Sequence, residues 1–326
     1  MFGKRSALVT AAFVAAVTSP VLTAASASAK DIPWQDQTVF ALGPTDNYVA
    51  EWMGLSEGWT VIGGPASEIY AGSAGVFATN PTTGDIFEYN GTPGSWTEIG
   101  GPGAQFAEGG GHLYGLGPAS NYVAEWNGPG LGWSIIGGAA EDIYAGPDGL
   151  VDTEPSGTSG DIRHYNGTPN SWTDIGGPEG YASLNDVAVG VGAVYRINPA
   201  NAAGVTVVDE WTSGTTWTPI LTVGSTHLPG SLIAGDDGVY LDDVTTTSDF
   251  YLKYSGTPNS WSQISDIDYD GNGLYPMVES TTGLYGATMN NAVSTTASTD
   301  VELYSGSGST WTVIGGPANP NLAAGA

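Results

Sequence analysis

Gly84-Asp-Ile-Phe-Glu-Tyr-Asn-Gly-Thr-Pro-Gly-Ser-Trp-Thr-Glu-Ile-Gly-Gly-Pro102 recurs, almost unchanged, as Gly160-Asp-Ile-Arg-His-Tyr-Asn-Gly-Thr-Pro-Asn-Ser-Trp-Thr-Asp-Ile-Gly-Gly-Pro178. Its most persistent mark, a Trp with an Ile three places on, stands at Trp59, Trp96, Trp133, Trp172, Trp217, Trp261 and Trp311. The intervals are 37, 37, 39, 45, 44 and 50 residues. A self-similar period near 40 residues signals a repeat architecture. Inside each unit, Asp-Ile-Phe-Glu-Tyr and Trp-Thr-x-Ile alternate with the two-residue period of a strand. The pairs at 90–91, 127–128, 166–167 and 255–256, Asn-Gly or Ser-Gly, read as turns between them, because Asn and Gly tolerate positive φ.

Two further strands complete the unit. One is Gly75-Val-Phe-Ala-Thr79, echoed around Leu113, Val194, Val239 and Leu284; the other is Ile69-Tyr-Ala-Gly72, echoed at 106–109, 143–146, 187–190, 232–235 and 322–325, with 274–278 in the same place but without the Gly. Four short strands repeated seven times predict an all-β fold, a seven-bladed β-propeller of four-stranded blades. Gaps between radiating blades widen outward, so the small-residue strand belongs at the axis and the Trp strand at the rim. The first blade then begins at its second strand, 38–42, and takes its inner strand from Asn321–Gly325. The ring is expected to be closed by this C-terminal strand, leaving no open sheet edge at the seam.

Composition agrees. Gly (50) and Pro (20) fill about a fifth of the 326 residues and argue against long helices. Eleven Trp and 16 Tyr are too many aromatics for a disordered acidic chain. Lys4 and Arg5, an apolar run from Ala7 to about Val21, and Ala-x-Ala before Lys30 read as a secretory signal over 1–29, with the propeller over 30–326 and the mature protein extracellular. The apolar run is short for a membrane span. There are 33 acids against 6 bases, a formal charge of −27, which excludes nucleic acid and anionic lipid as partners. No cysteine is present, so packing alone must hold a secreted fold.

The Tyr-Asn-Gly-Thr-Pro-x-Ser-Trp-Thr-x-Ile-Gly-Gly-Pro run, with the Ile-Tyr-Ala-Gly strand after it, resembles the seven-bladed propeller lectins secreted by actinomycetes. More distantly it is similar to the five-bladed tachylectin-2 type. The resemblance covers the whole mature chain. It implies a protein that holds cell-surface glycans and, as in the lectin component of umbrella-shaped antibacterial toxin particles, docks to an adaptor protein. Repeats five to seven depart from the motif: Asp209-Glu-Trp-Thr-Ser-Gly lacks the Asn, and Ile264-Ser-Asp replaces Ile-Gly-Gly.

Catalytic signals are few. The chain has no thiol, no Gly-x-Ser-x-Gly and no His-Glu-x-x-His, and His112, His164 and His227 stand far apart. Carboxylates recur at Glu51, Glu88, Glu125 and Glu210, as a surface feature does rather than a unique acid–base pair. The chain therefore reads as a non-enzyme. Sugar sites are expected where an aromatic and an amide stand together: Trp52, Tyr89 with Asn90, Trp126 with Asn127, and Tyr165 with Asn166. A ring stacks on the sugar's C–H face while the amide serves its hydroxyls. Such sites are expected where adjacent blades meet, although the Asn is equally what the turn wants and the aromatic what the core wants. Each outer Trp is expected to be half exposed at the rim. Several weak sites on one rigid disc gain avidity. A protein-docking propeller without sugar binding is the second reading, and a glycan-acting enzyme the third.

No cofactor is required, with one motif for Ca²⁺: Asp268, Asp270, Asn272 and Glu279 match the spacing of an acidic calcium loop. The competing reading is a Gly-rich surface turn, because residues 274–278 are needed as an inner strand that carries Glu279 away.

Overall fold

The computed structural model describes residues 39–119, 121–155, 161–177, 187–198, 204–245, 249–267, 273–280, 283–289, 299–318 and 321–324. The signal segment at 1–29 lies outside these residues, as do Asp268, Asp270 and Asn272. The compact unit spanning Trp34–Ala326 is a ring of seven four-stranded antiparallel sheets, a seven-bladed β-propeller, with no helix among the described residues.

Blade 2 shows the plan. Its inner strand Ile69–Gly72 pairs with Gly75–Thr79, then Ile86–Tyr89, then the outer strand Trp96–Gly100. The outer strands of the other blades also start at the expected tryptophans, from Trp59 to Trp311. Inner strands of consecutive blades adjoin around the axis. Blade 1 comprises Val39–Leu42, Tyr48–Trp52 and Trp59–Pro65, and its inner strand is Leu322–Ala324 from the other end of the chain. Phe40 pairs with Ala323, so the two ends of the chain lock one sheet. Blade 6 departs from the small inner strand: it runs from His227 to Ala234, with a register shift between Pro229 and Ser231.

Small residues at the axis leave a central channel. A space of about 450 Å³ there is lined by Gly72, Gly109, Gly146, Gly235, Glu108 and Asp236, among others. Glu108 stands where the inner strands of blades 1, 2, 4 and 6 carry Ala, and its Oε1 accepts from the Ala74 N–H at 2.9 Å. A Cβ on Gly72 would meet this carboxylate, so Glu108 reaches over the glycine and would have to swing away from any side chain there.

The core lies between blades rather than within them. Seven apolar clusters fill the seven seams. At the seam of blades 1 and 2, Phe40, Leu42 and Ile62 meet Ile69, Ala78, Tyr89 and Trp96. The outer-strand Ile is buried in every blade, from Ile62 to Ile314.

The Asn-Gly pair lies, as expected, between the third and fourth strands: Tyr89 pairs with Trp96, which leaves a six-residue loop, 90–95. Gly91 takes positive φ (73°) while Asn90 does not; the left-handed residues nearer the strand are Gly94 and, in later blades, Asn170 and Asn259.

Candidate ligand-binding site at the blade seams

The residue that repeats most faithfully builds the seam. Trp96 Nε1 donates to the carbonyl of Ile62 in the preceding blade at 2.8 Å. The same bond joins Trp133 to Ile99, Trp172 to Ile136, Trp217 to Ile175, Trp261 to Ile220 and Trp311 to Ile264, all at 2.8–3.0 Å. Those carbonyls are available because the outer strand bulges at the Ile. Phe87 pairs with Glu98 and Ile86 with Gly100, so Ile99 is skipped; Ile220 and Ile264 are skipped likewise. A bulge frees one residue from the ladder and turns the strand. The Ile62 carbonyl also accepts the Gly94 N–H at 2.8 Å, using both lone pairs. Asn170 and Asn259 reach Ile136 and Ile220 in the same way, which is why those loop residues are left-handed. The glycine after the Ile gives the indole room: a Cβ on Gly63 would stand 2.9 Å from Trp96 Nε1. The Trp-Thr-x-Ile-Gly motif is thus a latch between blades. At the closing seam Trp59 Nε1 is buried without a hydrogen-bond partner among the described residues.

The aromatics expected to hold sugar are the cross-strand partners of these tryptophans. Trp52 faces Trp59 with centroids 5.5 Å apart, Tyr89 faces Trp96 at 5.1 Å, Trp126 faces Trp133 at 5.8 Å and Tyr165 faces Trp172 at 5.0 Å. Trp52 and Tyr165 are buried; Tyr89 and Trp126 are half-buried. The three amides are exposed and bonded inside their own loops. Asn90 Nδ2 donates to Ser95 Oγ and Thr97 Oγ1, both at 3.1 Å. Asn127 Nδ2 donates to the Gly132 carbonyl at 2.9 Å, and Asn166 Nδ2 to Ser171 Oγ at 3.2 Å. The structure therefore keeps aromatic and amide adjacent but gives the ring to the seam core and the amide to the loop.

The repeated carboxylates also meet the next blade. Glu125 is hydrogen-bonded to Tyr165, and burial, followed by the charge of Glu125, pushes the Tyr165 phenol up. Glu51 beside Tyr89 and Glu210 beside Tyr254 act alike, again after burial. Each histidine stands by a carboxylate: His112 by Glu125 at 2.6 Å, His164 by Asp148 at 3.7 Å and His227 by Asp243 at 2.7 Å. The backbone of Glu279 pairs with Leu284 in the inner strand Gly273–Ser280 of blade 7, the axial position equivalent to Glu108.

What the sequence did not disclose is where space opens at the rim. Clefts lie between the outer Trp of one blade and the segment after the Ile of the preceding blade. At the seam of blades 7 and 1 the cleft holds about 270 Å³ and is lined by Trp59, Val61, Ala50, Tyr48 and Gly316. Between blades 2 and 3 it holds about 300 Å³, with Trp133, Ile135, Ala124, Tyr122 and Gly101. Between blades 1 and 2 it is smaller, about 190 Å³, because Phe87 occupies the place of Ala50 and Ala124. All seven outer tryptophans are half-buried, as expected of the rim. The clefts are at the low end of small-molecule sites, which run from ~300 Å³ upward. They suit one ring rather than a peptide.

No protein-family model matches the chain, nor does any curated protein. Among solved structures, the chain is similar to a functionally unknown protein from Desulfotomaculum acetoxidans (TM-score 0.57, 12% identity, 88% of this chain and 98% of that one). It is also similar to a hypothetical selenium-binding protein from Sulfolobus tokodaii (TM-score 0.52, 9% identity, 91% and 94%). A prolyl endopeptidase aligns at TM-score 0.60 and 12% identity over 87% of this chain, which spans about half (51%) of that protein. At such identities the likeness shows the fold alone. Fold and seams define a β-propeller suited to binding or protein interaction.

Proposed function

We propose that this is a secreted, multivalent carbohydrate-binding propeller that attaches to cell-surface glycans, acting as the targeting subunit of an antibacterial toxin complex. The observation that carries the reading is the recurrence of open rim clefts walled by a half-exposed tryptophan. An indole face accepts the C–H side of a sugar ring, while nearby carbonyls and hydroxyls serve its polar groups. Repetition on a rigid ring supplies avidity from individually weak sites. Support for the toxin role is the resemblance of the repeat motif to actinomycete lectins.

The test is a glycan array probed with mature protein, with and without calcium, including a bacterial cell-wall fraction. Reproducible binding to a defined set of glycans supports the reading. Binding to protein partners alone would move it to the docking propeller. A loss on chelation would point to the Asp268–Glu279 segment.

A further inference from the structure

The seven outer tryptophans are not equally covered, and the difference lies in one position, two residues before the aromatic of the third strand. In blade 2 it is Phe87, which narrows the cleft beside Trp96 to about 190 Å³. In blade 4 it is Arg163, whose guanidinium lies 5.7 Å from the centroid of Trp172 and is tied to Asp152 at 2.6–2.8 Å. In blade 5 it is Asp209, which holds Arg196 3.9 Å over Trp217. Leu252 of blade 6 packs in the same cluster as Trp261, and blade 7 carries the long side chain of Glu302 at this position. Blades 1 and 3 carry Ala50 and Ala124 here; Phe106 approaches Trp133 to 6.0 Å between centroids, yet the clefts beside Trp59 and Trp133 still hold about 270 and 300 Å³. The third-strand position thus supplies or holds a guanidinium over Trp172 and Trp217, and leaves that side of Trp59 and Trp133 open.

The surroundings match. Tyr48 (43% exposed) and Tyr122 (48%) stand at one rim, Val61 (60%) and Ile135 (62%) at the other. Asn47 and Asn121 hold the preceding turns at φ 53° and 51°. Across the strand pair, Ala50 faces Ala41 and Ala124 faces Gly115, where blade 4 sets Asp152 opposite Arg163. Of the residues lining the two clefts Asp46 alone is charged, and it is acidic. Every Lys and Arg among the described residues is committed to a protein carboxylate: Arg163 to Asp152, Arg196 to Asp209 and Lys253 to Asp237. No base remains at either cleft for a carboxylate, sulfate or phosphate group, and the net charge of −27 repels one.

We infer that the protein is divalent, with two like clefts on blades 1 and 3 that each take one uncharged glycan ring against Trp59 or Trp133. This rests on the carbohydrate-binding reading and specifies its sites and ligand class.

The test introduces the residue that blade 2 already carries. Ala50→Phe and Ala124→Phe, singly and together, are compared with wild type and with Phe87→Ala on an array of neutral, sialylated, sulfated and phosphorylated glycans, with melting temperature recorded. We expect wild type to bind neutral spots only, each single variant to lose at least tenfold in apparent affinity, and the double variant to lose binding without a fall in melting temperature. Phe87→Ala, which leaves Trp96 as open as Trp59 and Trp133, should bind more tightly than wild type through a third cleft. If the double variant is unstable, Tyr48→Ala with Tyr122→Ala, both at exposed positions, serves instead. Undiminished binding by the double variants, or acidic spots bound as well as neutral ones, overturns the inference while leaving the lectin reading in place. A wild type that binds no glycan overturns both.

Discussion

The indole N–H of Trp96 donates to the carbonyl oxygen of Ile62, 2.8 Å away in the preceding blade, and the ring lies on the glycine that follows that Ile. Repeated at six of the seven seams, this contact ties neighbouring sheets into one body. A hydrogen bond of this kind contributes about 0.5–1.5 kcal/mol net.

Trp96→Phe keeps an aromatic ring but deletes the donor, so it should lower the melting temperature by a few degrees, the scale of ~1 kcal/mol in a domain of this size. Trp59→Phe should cost less, because the Trp59 N–H is buried with no acceptor among the described residues. Calorimetry of both variants decides. Equal losses would mean that ring packing, not the latch, dominates.

Much of this was legible in the chain. Seven Trp-x-x-Ile marks gave seven blades, strand composition ordered them from axis to rim, and the lone inner strand at 321–325 foretold closure. The latch was not, because its partners are 34 to 47 residues apart and a bulge exists only once strands pair. The clefts were hidden for a related reason: their walls come from two blades, and the difference between Ala50 and Phe87 matters only beside a tryptophan already in place. Aromatic–amide neighbours such as Tyr89 and Asn90 were visible, but not that ring and amide would serve the seam and the loop.

Closure gives the second prediction. Leu322–Ala324 is the only strand joining the two ends of the chain among the described residues, and it also lies between the inner strands of blades 7 and 2. Deleting residues from Asn319 onward should expose the edge of Val39–Leu42 and drive self-association. Light scattering that shows a monomer with unchanged melting temperature would contradict the closure argument.

Acidity should affect the channel. Burial raises the Glu108 pKa, against the opposing pull of the Ala74 N–H and of His112. The folded state thus keeps this proton at pH values where the unfolded chain, with a pKa of ~4.3, has lost it. The resulting stability is fully present below the unfolded value and is lost as pH rises through the folded one. Glu108→Gln should therefore raise the melting temperature at pH 7 by a degree or more and change it little at pH 4. The opposite ordering in paired melts would show that the channel carboxylate is stabilised by its charge.

The loop amides are separable from the clefts. Changing Asn90, Asn127 and Asn166 to Asp removes the Nδ2 donors to Ser95, Gly132 and Ser171 but touches no cleft wall. The triple variant should melt earlier, by a few tenths to ~1 kcal/mol for each exposed bond lost, yet hold glycan like wild type. Binding lost at a temperature where the variant is folded would return the sites to the hairpin loops.

The central claim is attachment through several weak sugar sites, and competition measures it most directly. Mature protein is bound to a glycan-bearing cell surface and displaced with one neutral sugar, offered either as the monomer or on a polyvalent carrier at equal sugar concentration. A sugar offers little apolar area and exchanges one set of hydrogen bonds for another, so single sites are weak, whereas linked sites gain ~10²–10⁴ in avidity. The account predicts that the polyvalent carrier displaces the protein at least a hundredfold more effectively than the monomer. Equal potency of the two forms, or displacement by neither, would contradict it.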